Sequence, residues 1–461
     1  MNLPTRAGQM TEGPFFKKIV LFAVPVTLTG LLQIVYNTAD TAVVGRFAGT
    51  AALAAVGSTG SMISLIVNLF TGLSMGAGVL TARMLGAKND AGVRRAVHTA
   101  MGLSAVCGCV IALLGVLLSP TLLRWMQAPE DTIGLSTLYV RIYFLGAPGS
   151  MAFNFGAAVI RATGDTGRPL RYLAASGLLN ILLNLFTIIV LHWGVAGVAV
   201  ATISSQYLTA FLAVRRFTRT EDAVRLTLRE IRFTRAELIE ILRIGVPAGV
   251  QNALFSVSNV IIQSNVNTFG SDAMAGISAG SNFDAYIYTA TNGYTQAAMT
   301  FISQNVGAGK KENIRKLWLI SLGSAAVAAV GLQTLGFLLR YRIVGLFTKD
   351  VAVIAVGAER MALIMPFYVF CSLLDLTGGA VRGLGRSFQI MLVSLFGACG
   401  LRLIWVFFFL PMHRTLRFLY VAYPLSWGVT FAVAAGLFLW LSSDRQLEKL
   451  LREKAAAAQG Q

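Results

Sequence analysis

Residues 31 to 49, LLQIVYNTADTAVVGRFAG, combine the composition of a membrane span with four polar side chains, Gln33, Tyr36, Asn37 and Asp40. Their spacing is that of one helix face, so all four point the same way. A carboxylate in hydrocarbon costs several kcal/mol unless it faces a cavity or a partner, which makes Asp40 a candidate functional group. Such a group can take up and release a proton or help to hold a cation. Asp40 lies six residues, about 9 Å of helix, before Arg46 at the end of the stretch, so water can reach it from that end.

Other apolar runs also carry polar groups. LLNILLNLF sets Asn180 and Asn184 one turn apart, VAVATISS contains Thr202, and Asn154 sits in a fourth run. In the second half, Asn252, Ser256, Asn259, Gln263 and Asn267 form a stripe at helical spacing that can line a wet cavity but cannot titrate. Asp284, Asp375 and Arg402 are ionisable residues in apolar surroundings. An intramembrane cation needs a partner, and an ion pair of Arg402 with Asp375 or with Asp284 is the expected arrangement. Aromatic and thioether side chains such as Tyr36, Phe153, Met151 and Met299 would offer adaptable walls to a planar, lipophilic cation.

The elements that must position these groups follow from composition. The chain has 461 residues, 56% hydrophobic and 13% charged, with mean hydropathy +0.69, against roughly 25% charged in a soluble domain. It reads as an all-α, polytopic membrane protein. Runs of about 20 apolar residues number twelve, near 19–45, 53–80, 97–119, 135–160, 170–191, 195–214, 243–268, 274–304, 316–339, 352–381, 388–410 and 419–442. The net charge of +18 lies in short loops, and a cytoplasmic N-terminus puts 28 of the 38 Lys and Arg on the cytoplasmic side, as expected of a plasma-membrane protein with both termini inside. No basic run interleaved with aromatics points to nucleic acid. Residues 1–18 read as a polar cytoplasmic N-terminus without a cleavable signal.

Enzymatic readings find little support. The four cysteines lie in apolar runs and read as packing residues, and His98, His192 and His413 are too scattered for a metal site. GISAG at 276–280 has the spacing of a hydrolase nucleophile motif but opens an apolar helix rather than a strand-turn-helix. GAGKK lacks the first glycine and the Ser or Thr of a nucleotide-binding loop. Neither a catalytic activity nor a cofactor is expected.

The sequence repeats itself at an offset of 221 or 222: Pro25 matches Pro247, Gly86 matches Gly307, Arg94 matches Arg315 and Arg161 matches Arg382. Six spans per repeat give both halves the same orientation about an axis along the membrane normal, a transporter architecture. The expected partition is an N-terminal lobe at 19–214, a cytoplasmic linker at 215–242, a C-terminal lobe at 243–442 and a cytoplasmic tail at 443–461.

In order along the chain, ADTAVVGRFAG, LGAKN, RATGDTGRP, GVAGVAVATISSQ and QNVGAGK resemble the multidrug and toxic compound extrusion (MATE) family, bacterial type. The resemblance implies two six-helix lobes around a V-shaped cavity. It also implies a secondary active antiporter that exports amphipathic, mostly cationic organic compounds against an inward flow of protons or sodium, working as a monomer in lipid. Asp40 then corresponds to the ion-coupling carboxylate, with Asn180, Asn184 and Thr202 around it. One departure matters: many relatives carry aspartate where this chain has Asn184. The acids that sodium-type relatives carry in spans seven and ten would fall at Phe255 and about Cys371. Proton coupling through Asp40 is therefore expected, with sodium coupling or a lipid-flipping activity as the alternatives. Gln33, Tyr36, Asn37, Asn154, Asn259, Gln263, Asp284, Asp375 and Arg402 are the expected cavity residues.

Overall fold

The computed structural model describes residues 10–47, 49–125 and 132–449, almost all of them helical. Twelve helical segments follow one another: α1 Phe15–Phe47, α2 Thr50–Gly86, α3 Asp90–Trp125, α4 Ile133–Leu145 continued by Ala147–Ala162 after a 45° bend, α5 Gly167–Val190, α6 Gly194–Arg219, α7 Arg235–Asn267, α8 Ser271–Gly307, α9 Lys311–Gly345, α10 Val351–Gly383, α11 Ser387–Met412 and α12 Leu416–Leu441. Among the described residues, nine of these are long and apolar enough to cross a bilayer, and the bent α4 makes a tenth. The bend sits at Gly146, two residues before Pro148, whose ring cannot continue the preceding helix. The ends of the expected terminal segments, residues 1–9 and 450–461, lie outside the described residues.

The sequence repeat is a repeat of helix lengths. The first helices of the two halves, α1 and α7, each have 33 residues. The second pair, α2 and α8, have 37 each, and the last pair, α6 and α12, have 26 each. Both halves turn from first helix to second through a glycine in the left-handed region, Gly49 at φ 87° and Gly270 at φ 102°, a conformation that side chains with a Cβ rarely adopt.

Packing divides the chain differently from the expected partition. Among the described residues, one compact unit is Leu28–Gly249; the other combines residues 10–27 with residues 250–449. The division thus falls inside α1 and α7, two residues after Pro25 and Pro247, where each proline removes a helical hydrogen bond. Glycines make the two crossings possible. A Cβ on Gly72 of α2 would lie 2.2 Å from the backbone nitrogen of Gly249, and one on Gly293 of α8 would lie 2.4 Å from Thr27 Oγ1 and 2.6 Å from the Ala23 carbonyl. Thr27 Oγ1 also donates to the Ala290 carbonyl at 3.0 Å, and Phe22 meets Phe301 edge to face.

The 215–242 connection belongs to the first unit. Val224 and Leu226 are buried with Leu85, Val97, Met101 and Phe217. The Thr227 N–H donates to His98 Nε2 at 3.2 Å and the Thr234 N–H to Thr99 Oγ1 at 3.2 Å. Arg95 pairs with Glu237 and Arg83 with Glu240, both at 2.6 Å. The polar N-terminus is tied down too, from Met10 onward, by Asn305 Nδ2 donating to the Met10 carbonyl and Asn313 Nδ2 to that of Thr11. A methyl group at the first crossing must displace backbone. Gly72→Ala should therefore lower stability by about 1–3 kcal/mol, while Gly57→Ala, with nothing within 4 Å, should not; thermal unfolding of the two purified variants measures the difference.

Candidate functional site

Asp40 sits in the part of α1 that belongs to the first unit, and α5 meets it there. Asn184 Nδ2 donates to Asp40 Oδ1 at 2.6 Å and lies 3.3 Å from Asn180 Oδ1. Both asparagines are buried, whereas Asp40 is only partly buried. No cation pairs with Asp40 among the described residues. The Oδ1 of Asn184 is buried without a hydrogen-bond partner. Just past Asn184 the helix opens into a π turn at Phe186–Val190, the kind of irregularity that recurs at functional sites. Tyr36 lies flat on α5: a Cβ on Gly177 would fall 1.9 Å from its ring, and its hydroxyl reaches the Ala174 carbonyl at 3.4 Å. Tyr139 and Tyr143 of α4 are neighbours of Asp40, and Gln206 of α6 lies beside Tyr143 with its Oε1 buried and without a hydrogen-bond partner.

Several other expected members bond within their own helices or are exposed. The Thr202 hydroxyl donates to the Val198 carbonyl of its own helix, and Asn154 Nδ2 donates to the Ser150 carbonyl of its own. Both are therefore satisfied locally, as β-hydroxyl and amide side chains in helices commonly are. Gln33 and Asn37 are exposed. Met151 and Met299, expected on a cavity wall, are instead core residues at 0% and 5% exposure. Their helices turn those faces inward.

The ionisable residues of the second unit are answered in ways the spacing did not indicate. Arg402 forms no ion pair with Asp375 or Asp284. Its Nε donates to Ser426 Oγ at 3.0 Å and its Nη1 to Asn259 Oδ1 at 3.4 Å, while its guanidinium stacks 4.5 Å from the Tyr423 ring centre and 5.4 Å from that of Trp427. Asp284 is taken by Arg360, whose Nη2 donates to Oδ2 at 2.6 Å. Asp375 Oδ2 accepts from Thr295 Oγ1 at 3.0 Å. Gln263 Nε2 donates to Asn267 Oδ1 on an exposed face. The GISAG serine, Ser278, lies inside α8.

The two halves each match the MatE family model, over residues 25–186 and 247–408. The chain belongs to the MatE family. Both matches begin at the repeat proline, Pro25 or Pro247, and they are offset by 222 residues. This MatE protein is similar to the probable multidrug resistance protein YoeA of Bacillus subtilis, at 24% identity over 97% of this chain and 99% of that one. It is also similar to the probable multidrug resistance protein NorM of Thermotoga maritima, at 27% identity over 82% of each. Its fold matches a solved outward-facing structure of a multidrug resistance MATE family transporter of the MOP superfamily, with a TM-score of 0.87, 24% identity and coverage of 98% and 100%. The family and the apolar helices make it a multi-pass membrane protein.

In the MatE chain, spacing arguments do not reveal the role of Arg360. Arg360 reads as one more charge near a loop, yet it is 5% exposed and locks α10 to α8. For Tyr139 and Tyr143 a signal was present in YVRIYFL, where the two share a helix face in an apolar run. Breaking a buried ion pair from one side leaves a charge without compensation, at a cost of about 3–5 kcal/mol, whereas replacing both partners is often neutral. Arg360→Met should therefore depress the unfolding temperature of the purified protein, and Arg360→Met combined with Asp284→Leu should restore much of it.

Proposed function

We infer that this chain exports amphipathic organic cations from the cytoplasm across the plasma membrane in exchange for protons, and that Asp40 carries the proton. One observation supports this reading above the others: a carboxylate in an apolar helix, without a cationic partner among the described residues, held by a neutral amide. An amide serves both states of an acid. With Asp40 ionised, Asn184 donates from Nδ2, as in the 2.6 Å bond. With Asp40 protonated, rotation of the amide would offer the carboxylic O–H the Oδ1 that now has no partner. Proton uptake then removes a negative charge from the surface that an organic cation would use, so proton and substrate compete for one group. The multidrug names of the relatives agree with a broad, lipophilic substrate class, and the partly buried Tyr36 and Phe153 offer aromatic surface for it. The distribution of Lys and Arg supports a cytoplasmic location for both termini and for the 215–242 segment.

A sodium-coupled antiporter is the second reading, favoured by the same unpartnered Asn184 oxygen. Asp40, Asn180 and Asn184 bring oxygens together, and a hard monovalent cation binds to such oxygens. Against it, Phe255 and Cys371 supply no acid, and Thr202 is bonded within its helix.

Asp40→Asn tests the assignment. The variant should fold but bind a fluorescent organic cation more weakly than the parent, and its gradient-driven uptake of that cation into inverted membrane vesicles should fall by tenfold or more; Asp40→Glu should retain part of the activity. Export by Asp40→Asn at the parental rate would refute the role.

A further inference from the structure

We propose that Arg402 anchors an oxyanion site in the second unit, taking a carboxylate or a phosphate. This extends the transport reading above by naming a second chemical feature of what the protein handles. Arg402 is 3% exposed in the middle of an apolar helix, where a charge is tolerated only if something answers it. Every partner it has is neutral: Ser426 Oγ at Nε, Asn259 Oδ1 at Nη1, and the rings of Tyr423 and Trp427 against the guanidinium. The acids of this unit are engaged elsewhere, Asp284 by Arg360 and Asp375 by Thr295. A guanidinium has five N–H donors. Nε and Nη1 spend one each, and Asn259, at the Nη1 end, is exposed. The remaining edge thus lies beside accessible surface.

The helix around Arg402 is irregular as well. It sits in a four-residue α segment, Leu401–Ile404, between π turns at Leu395–Gly400 and Trp405–Phe409, and such turns cluster at functional sites. Aromatic stacking holds the guanidinium plane, which orients its fork for two parallel hydrogen bonds to a carboxylate or phosphate. The repeat adds a contrast. With the offset of 222 between the two family matches, Asn180 corresponds to Arg402 and Asn37 to Asn259. At this position the first unit has the amide of Asn180, which accepts from the same Asn184 that holds Asp40, and the second unit has a guanidinium.

The probes are rhodamine 110, which bears a free carboxylate, and its methyl ester rhodamine 123, bound to the purified full-length protein and followed by fluorescence anisotropy. Arg402→Gln should weaken the free acid about tenfold and leave the ester within twofold; Arg402→Lys, which keeps the charge but not the fork, should fall between. A second arm measures thermal stabilisation by phosphatidylglycerol added to phosphatidylcholine nanodiscs. An Arg402-dependent gain there identifies the phosphate of an anionic lipid, uncompensated by a headgroup cation, as an occupant, and an Arg402-dependent preference for the acid that survives in phosphatidylglycerol identifies the carried molecule. Either result supports the site. Equal behaviour of parent and Arg402→Gln toward the acid and toward phosphatidylglycerol overturns it. Ester binding and export are read separately, so a protein that ignores both dyes counts against the transport reading, while the lipid arm still decides the site.

Discussion

An ionisable side chain in an apolar helix has lost its water, and some other group must answer its charge. The chain does this in several different ways. Arg360 answers Asp284 with a direct ion pair at 2.6 Å. Two rings, a hydroxyl and an amide answer Arg402. Asp375 has the hydroxyl of Thr295. Asp40 has an amide only, which brings no charge. The pairs differ in consequence. A matched ion pair fixes two helices to each other, whereas a carboxylate bonded to an amide can take up a proton without stranding the charge of a partner. Structural and proposed functional roles separate along that line: Asp284 is a fastening, and Asp40 is the group we propose carries the proton.

The helix that carries Asp40 is also a helix that the packing divides. Pro25 and the turns up to Thr27 belong to one compact unit, and Asp40 belongs to the other. The repeat does the same with α7 at Pro247 and Gly249. Two glycine crossings, Gly72 with Gly249 and Gly293 with Thr27, hold each inner half against the second helix of the other repeat. A single long helix therefore joins the ionisable site to the opposite unit through a point where a backbone hydrogen bond is missing. The packed 215–242 segment, with His98, Arg95 and Arg83 holding it, leaves those two helices as the places where the units share secondary structure.

Much of this was legible in the sequence because helices write their faces at a period near 3.6. The shared face of Gln33, Tyr36, Asn37 and Asp40, the one-turn spacing of Asn180 and Asn184, the twelve helical segments and the repeat at 221 to 222 all rest on that period or on direct self-similarity. What spacing cannot encode is which helix stands opposite. Arg360 lies 76 positions from Asp284, and nothing in either neighbourhood announces the pair. Arg402 was read as needing an acid because its cage comes from α12, where Tyr423, Ser426 and Trp427 look like ordinary residues of an apolar span. Composition likewise marked the polar 215–242 segment as the divide, although contacts place the divide inside α1 and α7. The exposure of Met151 and Met299 failed for a simpler reason: residue type suggests a soft wall, but burial is decided by helix rotation.

The central claim is that one carboxylate, Asp40, couples proton movement to substrate movement. Purified protein in sodium-free liposomes, given an imposed pH gradient and a fluorescent organic cation, tests it most directly. The account predicts that the pH gradient alone drives dye accumulation, and that a sodium gradient at equal pH on both sides does not. Accumulation driven only by sodium would contradict it.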